Sequence, residues 1–189
     1  MELLVDLLAR LADLLLLPTM LLLVLGFFWT LALVGGHLAE WRRRRAVLAG
    51  YRSWLRTQVA AAPRTEAPPA PELVGLALAD RPRGADAVKR LADLEIVARR
   101  ALGRLMIGIR VGPVLGLAGT LIPLGPALVA LSAGDTETLA RKLVVAFSTS
   151  VLGLFISGCC FVMHSSRKLW YAQDLADAEF LLGTERNAG

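Results

Sequence analysis

The side chains of this chain that could carry chemistry are hydroxyls within two long uncharged runs, residues 111–134 and 143–166. A hydroxyl both donates and accepts hydrogen bonds, so a row of hydroxyls can replace water around a passing ion. The pattern makes these hydroxyls candidates to line a polar pathway. The candidate pathway residues are Thr120, Ser148, Thr149 and Ser150.

The same two runs carry small residues at helical spacing, which favours a different interpretation. Gly112, Gly116 and Thr120 recur every fourth residue, and small residues repeat at similar spacing from Ala146 to Ser157. Lipid provides no hydrophobic drive for helix association, so small faces let helix backbones approach closely. A tight helix–helix interface explains any single position as well as a pathway does. The residues assigned to helix packing are Gly112, Gly116, Gly119, Gly153 and Ser157.

Both runs exceed the roughly 20 apolar residues that a helix needs to cross a bilayer. A third uncharged run covers residues 14–38, and 56% of the chain is hydrophobic, which is too apolar for an ordinary soluble domain. The sequence therefore predicts an all-α, polytopic membrane protein with three transmembrane helices at 14–38, 111–134 and 143–166. The second of these contains Pro113, Pro123 and Pro126, and each proline is expected to kink the helix.

The orientation follows from the basic residues, which crowd beside the predicted spans. Arg42–Arg45 begin four residues after the end of the first span, and the positive-inside rule places such clusters in the cytoplasm. Contact with lipid headgroups explains them better than nucleic acid does. The N-terminus is then outside and the C-terminus cytoplasmic. The predicted external segments are an amphipathic helix at 1–13 and a turn with the start of a helix at 135–142. The predicted cytoplasmic segments are helices at 39–110, which include a Pro-rich linker at 61–71, and a tail at 167–189.

Two local features within these segments can be predicted further. Hydrophobic residues recur on one stripe from Val88 to Ile109 and continue into the second span without a helix breaker. One long helix from about residue 86 to 131 is therefore expected. Asp135 has a side chain suited to capping the start of the third span.

Enzymatic chemistry has little support in the sequence. We find no nucleophile–base set, phosphate-binding loop or cluster of metal ligands, so we expect no catalytic residues, no metal and no cofactor. The second and third spans also contain no carboxylate, and His37 and His164 lie only near span ends. Proton relays through membranes generally use ionisable groups inside the spans. If protons cross here, a titratable group must come from another chain.

Two segments carry a family resemblance. Residues 112–120, GPVLGLAGT, resemble the P-x-L-G-L-x-G-T signature of the MotA/TolQ/ExbB proton channel family. Residues 146–154, AFSTSVLGL, resemble the second signature of that family, A-L-x-x-T-x-x-G-L. The two signatures fall on successive predicted spans in the order of the family. The resemblance covers about residues 105–170.

The resemblance implies a homo-oligomeric, pentameric ring in the inner membrane around a single-span partner of the ExbD/TolR/MotB type. The partner carries a membrane aspartate, and hydroxyls of the ring line the route of an ion, H+ or alternatively Na+. By position, Thr120 and Ser150 are those hydroxyls, with Ser148 and Thr149 beside Ser150. The ring would couple ion-motive force to mechanical work on the partner. A non-conducting membrane scaffold for a partner protein is the alternative.

The chain also departs from the family pattern. Pro123 and Pro126 follow Thr120, where relatives commonly have an unbroken segment. The helix beyond Thr120 is therefore expected to bend differently.

Overall fold

The computed structural model describes residues 2–60, 69–79 and 85–187, and all regular structure in them is helical. The four helices are α1 (Glu2–Ala60), α2 (Glu72–Leu78), α3 (Ala85–Ser132) and α4 (Thr136–Asn187). Residues 2–13 form the first turns of α1. The predicted long helix through residues 86–131 is confirmed by α3. Most of the predicted Pro-rich linker, residues 61–68, lies outside the described residues.

Three of the described helices are long and apolar enough to cross a membrane: α1, α3 and α4. They contain 59, 48 and 52 residues. At 1.5 Å per residue each is more than twice as long as the roughly 30 Å hydrocarbon core of a bilayer. The chain is an all-helical, multi-pass membrane protein, and each of the three helices continues well past the length that a crossing requires.

The connection between α3 and α4 is a short turn whose chemistry explains both helix ends. Gly134 adopts a left-handed conformation with φ 75°, which glycine reaches without steric penalty. The N–H of Asp135 then reaches back to the carbonyl of Ala130 at 2.9 Å. The Asp135 carboxylate accepts a hydrogen bond of 3.0 Å from the N–H of Thr138, so the predicted cap of α4 is confirmed. Hydrogen bonds from Thr138 also lower the pKa of Asp135.

The chain divides into two compact units, which we call the span unit and the extension unit. The span unit comprises Met1–Val34 and Arg104–Met163, and the extension unit comprises Gly35–Gly103 and His164–Gly189. In the span unit, side chains from α1, α3 and α4 meet in one core. That core contains Leu23, Leu105, Ile156, Cys160 and Met163.

The extension unit has its own hydrophobic core, built around the short helix α2. Leu73 and Ala77 pack with α3 and α4, while Val74 packs with Tyr51 of α1 and Leu181 of α4. Seven residues are too few for a helix to be stable alone in water. Packing of Leu73, Val74 and Ala77, which are all buried, therefore holds α2 in place.

Charged and aromatic side chains join α1 to α4 in the extension unit. Arg44 donates to both carboxylate oxygens of Asp174, at 2.7 and 2.5 Å, and its guanidinium also lies 5.3 Å from the ring centre of Trp170. His37 stacks on Trp170 with ring centres 5.0 Å apart. Because the Asp174 side chain is only 2% exposed, this ion pair belongs to the interior.

Candidate functional site

The closest approach of α3 and α4 is built from glycines in the two signature segments. A Cβ atom added to Gly112 would lie 2.7 Å from the carbonyl oxygen of Gly153. A Cβ atom added to Gly153 would lie 2.5 Å from the carbonyl oxygen of Gly112 and 2.9 Å from the Cα of Gly116. The obstructing atoms are backbone atoms, which cannot rotate away. Glycine is therefore required at this contact, which joins two helices of the same chain.

The same contact buries Thr149, one of the predicted pathway residues. A Cβ atom on Gly119 would lie 2.7 Å from both the Cβ and the hydroxyl oxygen of Thr149. The Thr149 hydroxyl donates to the carbonyl of Ala146, one turn back in α4, at 2.8 Å. The side chain is 5% exposed. In the single chain, Thr149 fills the space that Gly119 leaves and is almost completely buried.

Ser157 links the two helices by a hydrogen bond that a proline makes necessary. Its hydroxyl donates to the carbonyl of Ile109 on α3 at 3.0 Å. In a regular helix that carbonyl would accept from the N–H four residues later, but residue 113 is a proline and has none. The contact therefore satisfies a backbone group that Pro113 leaves without its helical partner. Such compensation is what allows proline inside a membrane helix.

The other two prolines of α3 lie nearer its C-terminal end. Pro123 is buried and Pro126 is half-buried, and α3 continues through both. None of the three prolines ends the helix. The kinks expected from them stay a prediction.

The three remaining hydroxyls of the predicted pathway lie at the edges of this contact. Thr120 is half-buried and donates to the carbonyl of Leu117 at 2.7 Å, and Ser148 is exposed and donates to Val144 at 2.7 Å. Ser150 is half-buried, and no described residue accepts a hydrogen bond from it. A hydroxyl bonded to its own helix can still accept a hydrogen bond from outside. All three thus keep capacity for an ion or a water molecule.

Helix α1 joins the span unit on another side and leaves an apolar groove there. The groove has a volume of about 350 Å³ between α1 and α3. Its lining includes Gly26 and Trp29 of α1, Gly108 and Gly112 of α3, and Ile156 of α4, and no hydroxyl side chain. Hydrocarbon suits such a surface and a hydrated ion does not. The groove is therefore not part of the predicted pathway.

The structure also identifies a residue whose role the sequence obscured. Arg44 lies within four consecutive arginines, which together predicted a cytoplasmic boundary. Its neighbours Arg42, Arg43 and Arg45 are exposed, whereas the Arg44 side chain is 10% exposed and paired with Asp174. The only signal in the sequence for this role was the helical periodicity of α1, which points four consecutive arginines in different directions, so that they cannot all face the same surroundings.

Among the described residues, no group of three or more potential metal ligands occurs.

Comparison with known proteins adds one match. A family model described as the MotA/TolQ/ExbB proton channel family matches residues 80–178, just over half of the chain. The matched range contains both signature segments and the α3–α4 contact. No curated protein and no solved structure matches the chain.

Proposed function

Because the chain belongs to the MotA/TolQ/ExbB proton channel family, we propose that it is the ring subunit of an ion-conducting, two-component motor in the inner membrane. The ring couples ion-motive force to mechanical work on a single-span partner. The ion is H+, the ring is a pentamer and the partner supplies a membrane aspartate. The observation that carries the proposal is the family match across both signature segments.

The geometry of the contact supports this proposal, in which the hydroxyls of the contact have different roles. Thr149 holds α3 and α4 together against Gly119. Thr120, Ser148 and Ser150 lie at the edges of the contact, where a neighbouring chain can reach them. The second and third spans contain no carboxylate, so the group that binds and releases the proton belongs to the partner. The chain itself is not an enzyme in this proposal.

The orientation of the chain is part of the same proposal. Arginines 42, 43 and 45 are exposed on α1 next to the end of its uncharged run, and Arg45 lies 3.9 Å from the ring centre of Trp41. Basic and aromatic side chains together are typical of a cytoplasmic membrane boundary in contact with lipid headgroups. The N-terminus is then outside. A reporter enzyme inserted after Thr65 should be active only in the cytoplasm, and activity only on the external side would reverse the orientation.

Replacing the edge hydroxyls tests conduction directly. With the chain and its partner reconstituted in vesicles, Thr120→Val and Ser150→Ala should each lower proton flux. A lost charge-assisted hydrogen bond of about 1.5–3 kcal/mol corresponds to roughly a ten- to hundredfold loss at the rate-limiting step. The measurement is the rate of pH change inside vesicles after a potential is imposed.

The adjacent Thr149 provides a matched control for this test. Its hydroxyl is already bonded to Ala146 within α4. Thr149→Val should assemble and conduct nearly as the wild type, and Thr19→Val, on α1, should do the same. If Thr120→Val and Ser150→Ala assemble with the partner and conduct fully, the pathway assignment is wrong. If the intact wild-type complex passes no ion under any imposed potential, the non-conducting scaffold is the better description.

A further inference from the structure

Arg110 lies much deeper in the span unit than its place in the sequence predicts. The uncharged run of α1, residues 14–38, has its centre at residue 26. The uncharged run of α4, residues 143–166, has its centre between residues 154 and 155. A Cβ atom on Gly26 would lie 3.3 Å from the Ile156 side chain, and one on Gly112 would lie 3.4 Å from the same side chain. Gly112 is therefore level with the centres of both runs.

The depth of Arg110 follows from this level. Arg110 precedes Gly112 by two residues, roughly 3 Å along the helix axis. Each end of the α1 run is twelve residues, roughly 18 Å, from its centre. Arg110 thus starts roughly 15 Å inside the nearer end, which is about the middle of a 30 Å hydrocarbon core. The predicted second span starts at residue 111, directly after this arginine.

The side chain of Arg110 is exposed and unpaired within the described part of the chain. It shares the face of α3 that points away from α4 with Ile107, Val114 and Leu117, each about 60% exposed. Ionisable residues at this depth almost always face the interior of an assembly and are paired there. The cationic end is also too deep to reach the headgroups by extending along the helix, as arginines near span ends do.

A second copy of this chain cannot neutralise Arg110. None of the three uncharged runs contains an Asp or Glu. The carboxylates nearest to Arg110 along the helices lie outside these runs: Glu95 is fifteen residues, roughly 22 Å, away on α3, and Glu40 follows the end of the α1 run by two residues. We propose that Arg110 binds a carboxylate on a membrane helix of a different chain. This inference rests on the proposed function in requiring a membrane-spanning partner. Arg110 lies ten residues, roughly 15 Å, from Thr120 along α3. The proposed contact of Arg110 is therefore separate from the proposed ion route at Thr120.

Site-specific photocrosslinking identifies what faces Arg110 while leaving the arginine intact. A photoreactive amino acid at Val114, one turn along the same face, is activated in native membranes, and the adduct is identified by mass spectrometry. The expected product is a membrane helix of another protein with an Asp or Glu near the crosslinked residue. The same amino acid at Phe28, exposed on α1 close to the level of Gly26, serves as control and should label lipid. Adducts at Val114 with lipid or with a second copy would overturn the proposal.

Charge replacement then tests the pairing. The partner identified by crosslinking is then co-purified with the chain in mild detergent, without crosslinking. Arg110→Gln should lower its recovery by at least about tenfold, because one member of a desolvated pair is lost. Arg110→Lys should retain most of it. Arg104→Gln is the matched control, since Arg104 lies six residues, roughly 9 Å, nearer the membrane edge and can reach headgroups. Arg110→Glu, combined with Lys at the partner's carboxylate, should restore recovery.

The outcomes separate this proposal from the proposed function. If the partner is recovered equally with Arg110→Gln, or the reversed pair gives no recovery, the Arg110 contact is wrong even when the complex conducts. If no partner is recovered with the wild type and no ion flows, the proposed function fails and the Arg110 contact fails with it.

Discussion

The two units of this protein share hydrophobic packing of α4 but differ in the closest contacts that hold this helix. In the span unit α4 meets α3 through glycines, with backbone atoms in contact and a hydroxyl-to-carbonyl hydrogen bond. In the extension unit α4 meets α1 and α2 through leucines, aromatic rings and a buried ion pair. Burial of large side chains stabilises a contact only where the alternative is water. Where the alternative is lipid, close packing and hydrogen bonds must provide the attraction.

The comparison predicts that the largest loss of stability comes from breaking the ion pair. Asp174→Ala leaves the Arg44 guanidinium buried without its counterion, which should lower the free energy of unfolding by about 3–5 kcal/mol. Thermal unfolding in detergent, followed by tryptophan fluorescence, measures this effect. Trp170, which contacts Arg44, reports on the same region.

Two further variants sharpen this prediction. Glu95→Ala removes an exposed ion pair with Arg99 and should change stability by less than about 1 kcal/mol. The double variant Arg44→Leu with Asp174→Leu should recover much of the loss, because no charge is then left buried. If Asp174→Ala were as stable as the wild type, the extension unit would not depend on this pair.

The glycine contact should give the next largest effect. Gly153→Ala places a methyl group against the backbone of Gly112 and Gly116, which must move apart. Overpacking of this kind typically costs about 1–3 kcal/mol. The contact joins helices of one chain, so α3 and α4 should separate first. Gly153→Leu or Gly116→Leu should also break the proposed oligomer. The measurements are thermal unfolding and size-exclusion chromatography in mild detergent.

The chain provides a control for this glycine prediction. Gly125 in α3 and Gly158 in α4 have nothing within 4 Å of an added Cβ atom. Gly125→Ala and Gly158→Ala should be neutral or slightly stabilising, since alanine has the higher helix propensity. Equal losses at Gly153 and Gly158 would show that close backbone approach is not what stabilises the span unit.

The smallest effect concerns the hydrogen bond from Ser157 to Ile109. Ser157→Ala should cost about 0.6 kcal/mol, the average measured for hydrogen bonds between membrane helices, and at most about 1.7 kcal/mol. With Pro113→Ala, residue 113 regains an N–H that can donate to the Ile109 carbonyl. Ser157→Ala should then cost less in the Pro113→Ala background. A double-mutant cycle from thermal unfolding measures the coupling, and strictly additive effects would contradict the proposed compensation.

Features that depend on residues close together in the sequence could be predicted, whereas contacts between distant residues could not. Three uncharged runs and the absence of a breaker before Gly112 were enough to predict three spanning helices and the long helix α3. The capping side chain of Asp135 marked the start of α4, because capping involves residues only three positions apart. The spacing of glycines favoured a close helix–helix contact, with a polar pathway as the alternative. It did not show that the contact lies within one chain.

Composition and local periodicity determined the membrane class, the helices and the signature segments, because hydrophobicity and helix geometry act within a few turns. Only the tertiary structure decided that Thr149 is buried while Ser148, one residue earlier, is exposed. It likewise separated Arg44 from its exposed neighbours and placed Gly112, two residues after Arg110, level with the centres of the uncharged runs of α1 and α4. Successive residues on a helix point about 100° apart, so the position and depth of the neighbouring helices decide which of them is enclosed.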